Sequence, residues 1–228
     1  TVEIIKALCE KDVSFIELGI PFSDSIADGP TIQTANEIAI ANGVTSEFTL
    51  EILREIRKFT EIPVALMGGL NPILQYGVEK FCQDASESGA DALIIPELPF
   101  EFYIENYRNI FEKYNLSNIF LVTPNTSDER IKLIDEATSA FIYAVSISGV
   151  TGNKLTIDEQ KINYFTRLKN LNLKSPIAVG FGVENISHFN EIGKFADAVI
   201  VGSAFVKSLG KHDLLSLDVD SFFKEFYS

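Results

Sequence analysis

One carboxylate, Glu17, stands inside the apolar run Phe15-Ile16-Glu17-Leu18-Gly19-Ile20. A run that is apolar on both faces reads as a strand of a covered parallel sheet, and an unpaired carboxylate buried there costs several kcal/mol unless it is neutralised or hydrogen-bonded. Without a cationic partner its pKa is expected to rise, which suits a group that gives and takes a proton near neutrality. The plainer reading is a buried carboxylate held by backbone donors. The run breaks at Gly19 and Pro21 into a loop carrying Ser23, Asp24 and Asp28, and closes at Gly29-Pro30, where Pro suits the first position of a helix. Asp28 lies eleven residues beyond Glu17, placed to face the same pocket. By itself Asp28 is an ordinary cap or turn residue.

Three later loops share a composition: Ser148-Gly149-Val150-Thr151-Gly152, Gly180-Phe181-Gly182, and Gly202-Ser203 leading into Ala204. Each follows an apolar run. Backbone N–H groups unhindered by a Cβ, with a helix N-terminus behind them, cradle an anion without Lys or Arg. Any one of these glycines could simply end a strand, but three such loops in succession point to a phosphate site. Tyr143 lies in an apolar run and reads from composition as core. Phe22 and Phe181 are either walls of an aromatic pocket or core. Glu97, between Pro96 and Pro99, reads as structural, and His188 and His212 as surface residues without metal or triad partners.

The elements that must position these residues alternate. Helical patterns over 1–11, 31–41, 46–58, 74–88, 100–114, 128–137, 157–171, 184–192 and 214–226 are interleaved with seven apolar runs at 15–20, 63–67, 92–97, 119–122, 140–146, 176–181 and 198–202. Residues 68–72, Gly-Gly-Leu-Asn-Pro, read as a loop, Gly89 as a helix stop and Ser127 or Asp128 as a cap. Apolar strands each followed by a helix specify an all-parallel sheet covered by helices. A chain of 228 residues suits one domain, a (β/α)₈ barrel with seven strands recognisable. The chain opens on Thr and a helix, so the expectation is a preceding segment that carries the first strand. A doubly wound open sheet is disfavoured because no dinucleotide glycine fingerprint follows the first strand.

Composition limits the partners. Nineteen Lys and Arg against thirty-two Asp and Glu give a net charge of −13, which repels nucleic acid and anionic membrane surfaces. No apolar run approaches the ~20 residues that span a bilayer. With only Cys9 and Cys82 available, a reducing cytoplasm is expected, and the spacing suggests no metal.

With these residues in place, the chain resembles the α subunit of tryptophan synthase over essentially its whole length. The resemblance is carried by Glu17-Leu18-Gly19-Ile20-Pro21-Phe22-Ser23-Asp24, Ala27-Asp28-Gly29-Pro30-Thr31-Ile32-Gln33, and the three glycine loops, all in order. It implies a (β/α)₈ barrel that cleaves indole-3-glycerol phosphate to indole and glyceraldehyde 3-phosphate by a retro-aldol reaction, with no metal or organic cofactor. It further implies an α₂β₂ heterotetramer with the pyridoxal-phosphate β subunit, to which indole is channelled. Glu17 would be the acid/base at indole C3 and the side-chain hydroxyl. Asp28 would accept the indole N–H and stabilise positive charge on the ring. Tyr143 matches the family's active-site tyrosine and Thr151 the lid threonine that positions Asp28. Gly152, Gly182, Gly202 and Ser203 match the phosphate cradle.

Two departures bear on the site. Ser25 stands where the family usually has Pro, and Gly68-Gly69 where it commonly has Tyr before Asn71. Weaker activity of the isolated subunit is therefore expected. The competing readings are another phosphate-binding barrel isomerase or aldolase, and a catalytically silent subunit that only stimulates a β partner. A Schiff-base aldolase would need a strand-end Lys, which no strand carries.

Overall fold

The chain opens on α1 (Val2–Cys9) and enters β1 (Ile16–Gly19) through the apolar run that holds Glu17. Next come α2 (Pro30–Ala41), with Pro30 in its first turn, and α3 (Ser46–Ile56), whose N-cap Thr45 hydroxyl accepts the Phe48 N–H at 3.3 Å. β2 (Val64–Met67), α4 (Leu70–Tyr76), α5 (Val78–Glu87), β3 (Ala92–Ile94), α6 (Phe100–Asn106), α7 (Arg108–Lys113) and β4 (Ser117–Ile119) follow. These strands form a sheet in the order β1-β2-β3-β4, with β1 to β3 parallel. In α3, Leu50, Leu53 and Ile56 recur at helical spacing and are fully buried. Each such side chain stabilises the fold by roughly 1.5–3 kcal/mol.

The second half repeats the alternation with β5 (Leu121–Val122), α8 (Asp128–Ala137), β6 (Ile142–Val145), α9 (Glu159–Asn170), β7 (Ile177–Gly180), α10 (Ile186–Ile192), β8 (Ala198–Val199) and α11 (Ser203–Ser208), before α12 (Leu215–Phe226). Its sheet runs β5-β6-β7-β8 with every pair parallel. The computed structural model describes residues 1–25, 28–145, 159–180, 182–183, 185–210 and 215–227. The chain divides into two compact units, Thr1–Asn118 with Gly210–Asp220 and Ile119–Leu209 with Ser221–Ser228.

One device fixes strand register in both units. Ala90-Asp91-Ala92 enters β3 and Ala196-Asp197-Ala198 enters β8. Asp91 takes the Val64 N–H on its carboxylate at 2.7 Å and gives its own N–H to the Val64 carbonyl at 3.0 Å. Asp197 does the same with Ile177, at 2.8 and 2.9 Å. A carboxylate reaching the first N–H of the neighbouring strand allows one register only, and a slip of one residue would turn every core side chain to the wrong face. In the first unit Arg57 also binds Asp91, and its Nε donates to the Gly89 carbonyl at 2.8 Å. Gly89 is at φ +96°, and a Cβ there would lie 2.6 Å from the Arg57 Cγ, so glycine is required twice over.

Several boundaries differ from the sequence expectation. The segment read as a loop at 68–72 already begins α4 at Leu70, because Pro72 sits in the first turn, where its missing N–H has no partner to lose. The helix expected over 74–88 is two, broken at Gly77 with φ +90°. The helix expected over 100–114 also divides, at Tyr107, and the break sets buried Tyr103 and Phe111 edge to face at 5.2 Å. The strand expected over 92–97 stops at Ile94, and Glu97 lies in the turn that follows. The run at 119–122 is interrupted at Phe120, so seven apolar runs become eight strand segments among the described residues. Of the two candidate caps, Ser127 is the one that caps α8, accepting the Arg130 N–H at 3.3 Å.

Candidate active site

Glu17 occupies the second position of β1, in register with Ala65 of β2, which is in register with Ala92 of β3. Parallel partners in register point to one face, so two alanines flank the carboxylate on its row and leave room beside it. Its Oε2 is buried, with no hydrogen-bond partner among the described residues. Burial, with the charge of Asp28 adding to it, pushes the Glu17 carboxyl up to about 7. A side chain so placed changes protonation state near neutral pH, and an oxygen left bare asks for a partner that is not part of the fold.

Asp28 is half-buried at the end of the β1–α2 loop. Its N–H donates to the Ser25 carbonyl at 3.1 Å, and Asn36 Nδ2 donates to its carboxylate at 3.2 Å. Gln33 Nε2 reaches back to the Asp28 and Ser25 carbonyls at 3.0 and 3.3 Å. Gln33 and Asn36 lie three apart on α2 and face the loop together. That spacing immediately after Asp28 was the signal from which they could have been found. Burial raises the Asp28 pKa, hydrogen bonds from the buried Ser25 and from Asn36 oppose it, and the charge of Glu97 adds to the rise. Glu17, Asp28 and Glu97 thus influence one another in series, and none of the three forms an ion pair among the described residues.

Phe22 is half-buried, with its ring on the Gly69 backbone: a Cβ at Gly69 would stand 2.6 Å from Phe22 Cε2. A Cβ at Gly68 would come within 3.1 Å of Ile20 Cβ. The Gly68-Gly69 step therefore supports the start of the loop that carries Asp28.

In the second unit Tyr143 takes the corresponding place in its strand. It follows Phe141-Ile142 as Glu17 follows Phe15-Ile16, and it too has a row of alanines beside it, Ala178 and Ala198. Tyr143 is buried, and its ring and hydroxyl fill the space a Cβ of Gly180 would need. Beyond Gly180 the backbone reaches Gly182 at φ +82°. Gly202 is the N-cap of α11 and Ser203 its first residue, both exposed. Because β7 and β8 are parallel neighbours, Gly180 at the C-terminal end of β7 and Gly202-Ser203 beyond the C-terminal end of β8 lie on the same side of the sheet. Thr151, Gly152 and Phe181 lie outside the described residues, as does the rest of 146–158.

A family model described as the tryptophan synthase alpha chain matches residues 1–221. The chain belongs to the tryptophan synthase alpha chain family. It is 48% identical over 217 residues to the tryptophan synthase alpha chain of Flavobacterium psychrophilum, covering 95% of this chain and 86% of that one. With the alpha chain of Christiangramia forsetii it shares 48% over 225 residues, 99% of this chain and 87% of the relative. Among solved structures, a mutant tryptophan synthase α subunit from the hyperthermophile Pyrococcus furiosus superposes with a TM-score of 0.88 at 35% identity, over 99% of this chain and 90% of that one. A chain of the tryptophan synthase complex from the same organism superposes at 0.87, also at 35% identity, over 99% and 89%. The α/β architecture expected from the sequence is that of these α subunits. Among the described residues no helix of this α chain is long and apolar enough to cross a membrane, and no cluster of His, Cys, Asp and Glu is arranged to hold a metal ion.

Proposed function

We propose that the chain cleaves indole-3-glycerol phosphate to indole and glyceraldehyde 3-phosphate, with Glu17 and Asp28 as its catalytic carboxylates. The observation that carries the reading is the bare, buried Glu17 Oε2 on a carboxyl that titrates at about 7, beside a second carboxylate held by Ser25 and Asn36. In the retro-aldol step a proton leaves the side-chain hydroxyl next to the ring and its oxygen becomes the aldehyde oxygen. C3 receives a proton before the carbon–carbon bond to it breaks, and the electrons of that bond return to the ring as it does. The reaction is proton-neutral overall, so one group that both accepts and donates near pH 7 serves both ends. Glu17 is that group. Asp28 accepts the indole N–H and offsets the positive charge that grows on the ring as C3 is protonated. That stabilisation is strongest where water is excluded.

The phosphate is assigned to the backbone of Gly182, Gly202 and Ser203, together with Gly152. Tyr143 is assigned to the pocket through its family position, Thr151 to the alignment of Asp28, and Phe22 and Phe181 to its walls. Family membership and the match to a chain of the Pyrococcus furiosus α2β2 complex support a tryptophan synthase β subunit as partner. Two free cysteines, Cys9 and Cys82, support a cytoplasmic setting. The test is indole release from indole-3-glycerol phosphate, with and without β subunit. Turnover by the wild-type chain that is lost in Glu17→Gln supports the assignment, and a wild-type chain inert in both conditions refutes it.

A further inference from the structure

Glu97 stands outside the pair of carboxylates just described, yet three hydrogen bonds tie it to their loop. At the C-terminal edge of the first sheet, the Ile20 N–H donates to the Met67 carbonyl at 2.7 Å, the Gly68 N–H to the Ile94 carbonyl at 3.1 Å, and the Leu70 N–H to Glu97 Oε2 at 3.2 Å. The loop after β1 is fastened to the loop after β2, and that to the turn after β3. The mount of Glu97 is stiff. Pro96 and Pro99 flank it, Ile95 and Leu98 on either side are buried, and the Leu98 N–H closes the turn on the Ile95 carbonyl at 3.0 Å. Leu70 is the first residue of α4, so its N–H has no partner within the helix and a carboxylate suits the place. Upstream of that bond, Gly68 and Gly69 press their backbone on Ile20 and Phe22.

The two units make a telling comparison. In the second, the corresponding glycines after β7 are assigned to an external phosphate. In the first, the glycines after β2 lead to an N–H that the chain's own carboxylate occupies.

We propose that Glu97 is a positioning residue for the cleavage reaction, anchoring the Gly68–Leu70 backbone on which Ile20 and Phe22 rest and so setting, through them, where the Asp28 carboxylate meets the indole N–H. This rests on the function proposed above. The charge acting on Asp28 is that of Glu97 from the turn after β3, which adds to the rise of the Asp28 pKa, while Asp28 in turn raises Glu17 of β1. Glu97→Gln keeps an oxygen for the Leu70 N–H and removes the charge. Glu97→Ala removes both.

The experiment measures indole release by the chain in complex with β subunit, from pH 5 to 9, for wild type and both variants, with urea unfolding as the control for folding. Glu97→Ala is expected to lose at least tenfold in kcat with KM changed less than threefold. Glu97→Gln is expected to recover most of that kcat and to show the acidic limb of its pH profile displaced to lower pH, the direction in which Asp28 moves when a negative neighbour is lost. Activity of Glu97→Ala within threefold of wild type at every pH overturns the inference. So does an equal loss in both variants with an unmoved acidic limb, which would mark a merely structural residue. If Glu97→Ala fails to fold, the acidic limb of Glu97→Gln decides: displaced supports the inference, unmoved overturns it. A wild-type complex that releases no indole overturns the proposed function itself and the inference with it.

Discussion

Replacing Glu17 with Gln should remove activity and stabilise the fold at alkaline pH. In the folded chain burial keeps the Glu17 carboxyl protonated up to about pH 7, whereas its ordinary value is 4.5. Between those values the folded state holds a proton that the unfolded state has released. Stability contributed by this group is therefore present below pH 4.5 and is lost as pH rises toward 7. At about 1.4 kcal/mol per pH unit the loss is roughly 3 kcal/mol, an upper bound because Glu17 is not wholly shielded and shares the effect with Asp28. Gln has no charge to bury and escapes this loss. Urea unfolding of isolated wild-type and Glu17→Gln chains should give similar stabilities near pH 4.5, with a difference growing to as much as ~3 kcal/mol in favour of the variant by pH 8. For a chain of this size that is a gain in Tm of roughly 6–12 °C. A difference that does not change between pH 4.5 and 8, or a variant less stable than wild type at pH 8, would refute the burial argument.

Two further substitutions follow from glycines with no room for a side chain. Gly180→Ala drives a Cβ into the Tyr143 ring and hydroxyl, and overpacking of this kind costs about 1–3 kcal/mol; urea unfolding should show that loss, and kcat should fall as the phenol is displaced, whereas unchanged values would separate Tyr143 from the pocket. Gly69→Ala presses on Phe22 and should lower kcat by shifting the Asp28 loop. The double variant Gly69→Ala/Phe22→Leu should regain part of the lost stability, and no regain would mean that the ring is not what the new methyl strikes.

Much of the fold was legible because it is written in short-range patterns. The Ser127 cap, the Gly89 stop and the Pro30 start act within one helical turn, and the structure keeps all three. Glu17 stood out because one charge in an apolar strand run is conspicuous at any resolution of reading. The breaks were harder. Tyr107 divides a helix with no Gly or Pro to mark it, and the edge contact of Tyr103 with Phe111 that accompanies the break is one that periodicity does not report. The same limit hid the supports of the site. Glu97 meets Leu70 across 27 residues, and Phe22 meets Gly69 only because β1 and β2 are neighbours. Glu97 looked structural beside its two prolines, and its reach toward α4 is a property of the sheet edge. The paired Ala-Asp-Ala triplets before β3 and β8 were visible in the sequence, but only the hydrogen bonds to Val64 and Ile177 give them meaning.

The most direct measurement is the rate of indole release from indole-3-glycerol phosphate by the chain with β subunit present, comparing wild type with Glu17→Gln and Asp28→Asn, each shown to be folded by its urea transition. Two carboxylates working as a pair require that wild type turn over and that each single replacement lower kcat by a hundredfold or more, with KM little changed. A folded Glu17→Gln or Asp28→Asn variant that keeps wild-type kcat would contradict the assignment of the chemistry to these residues.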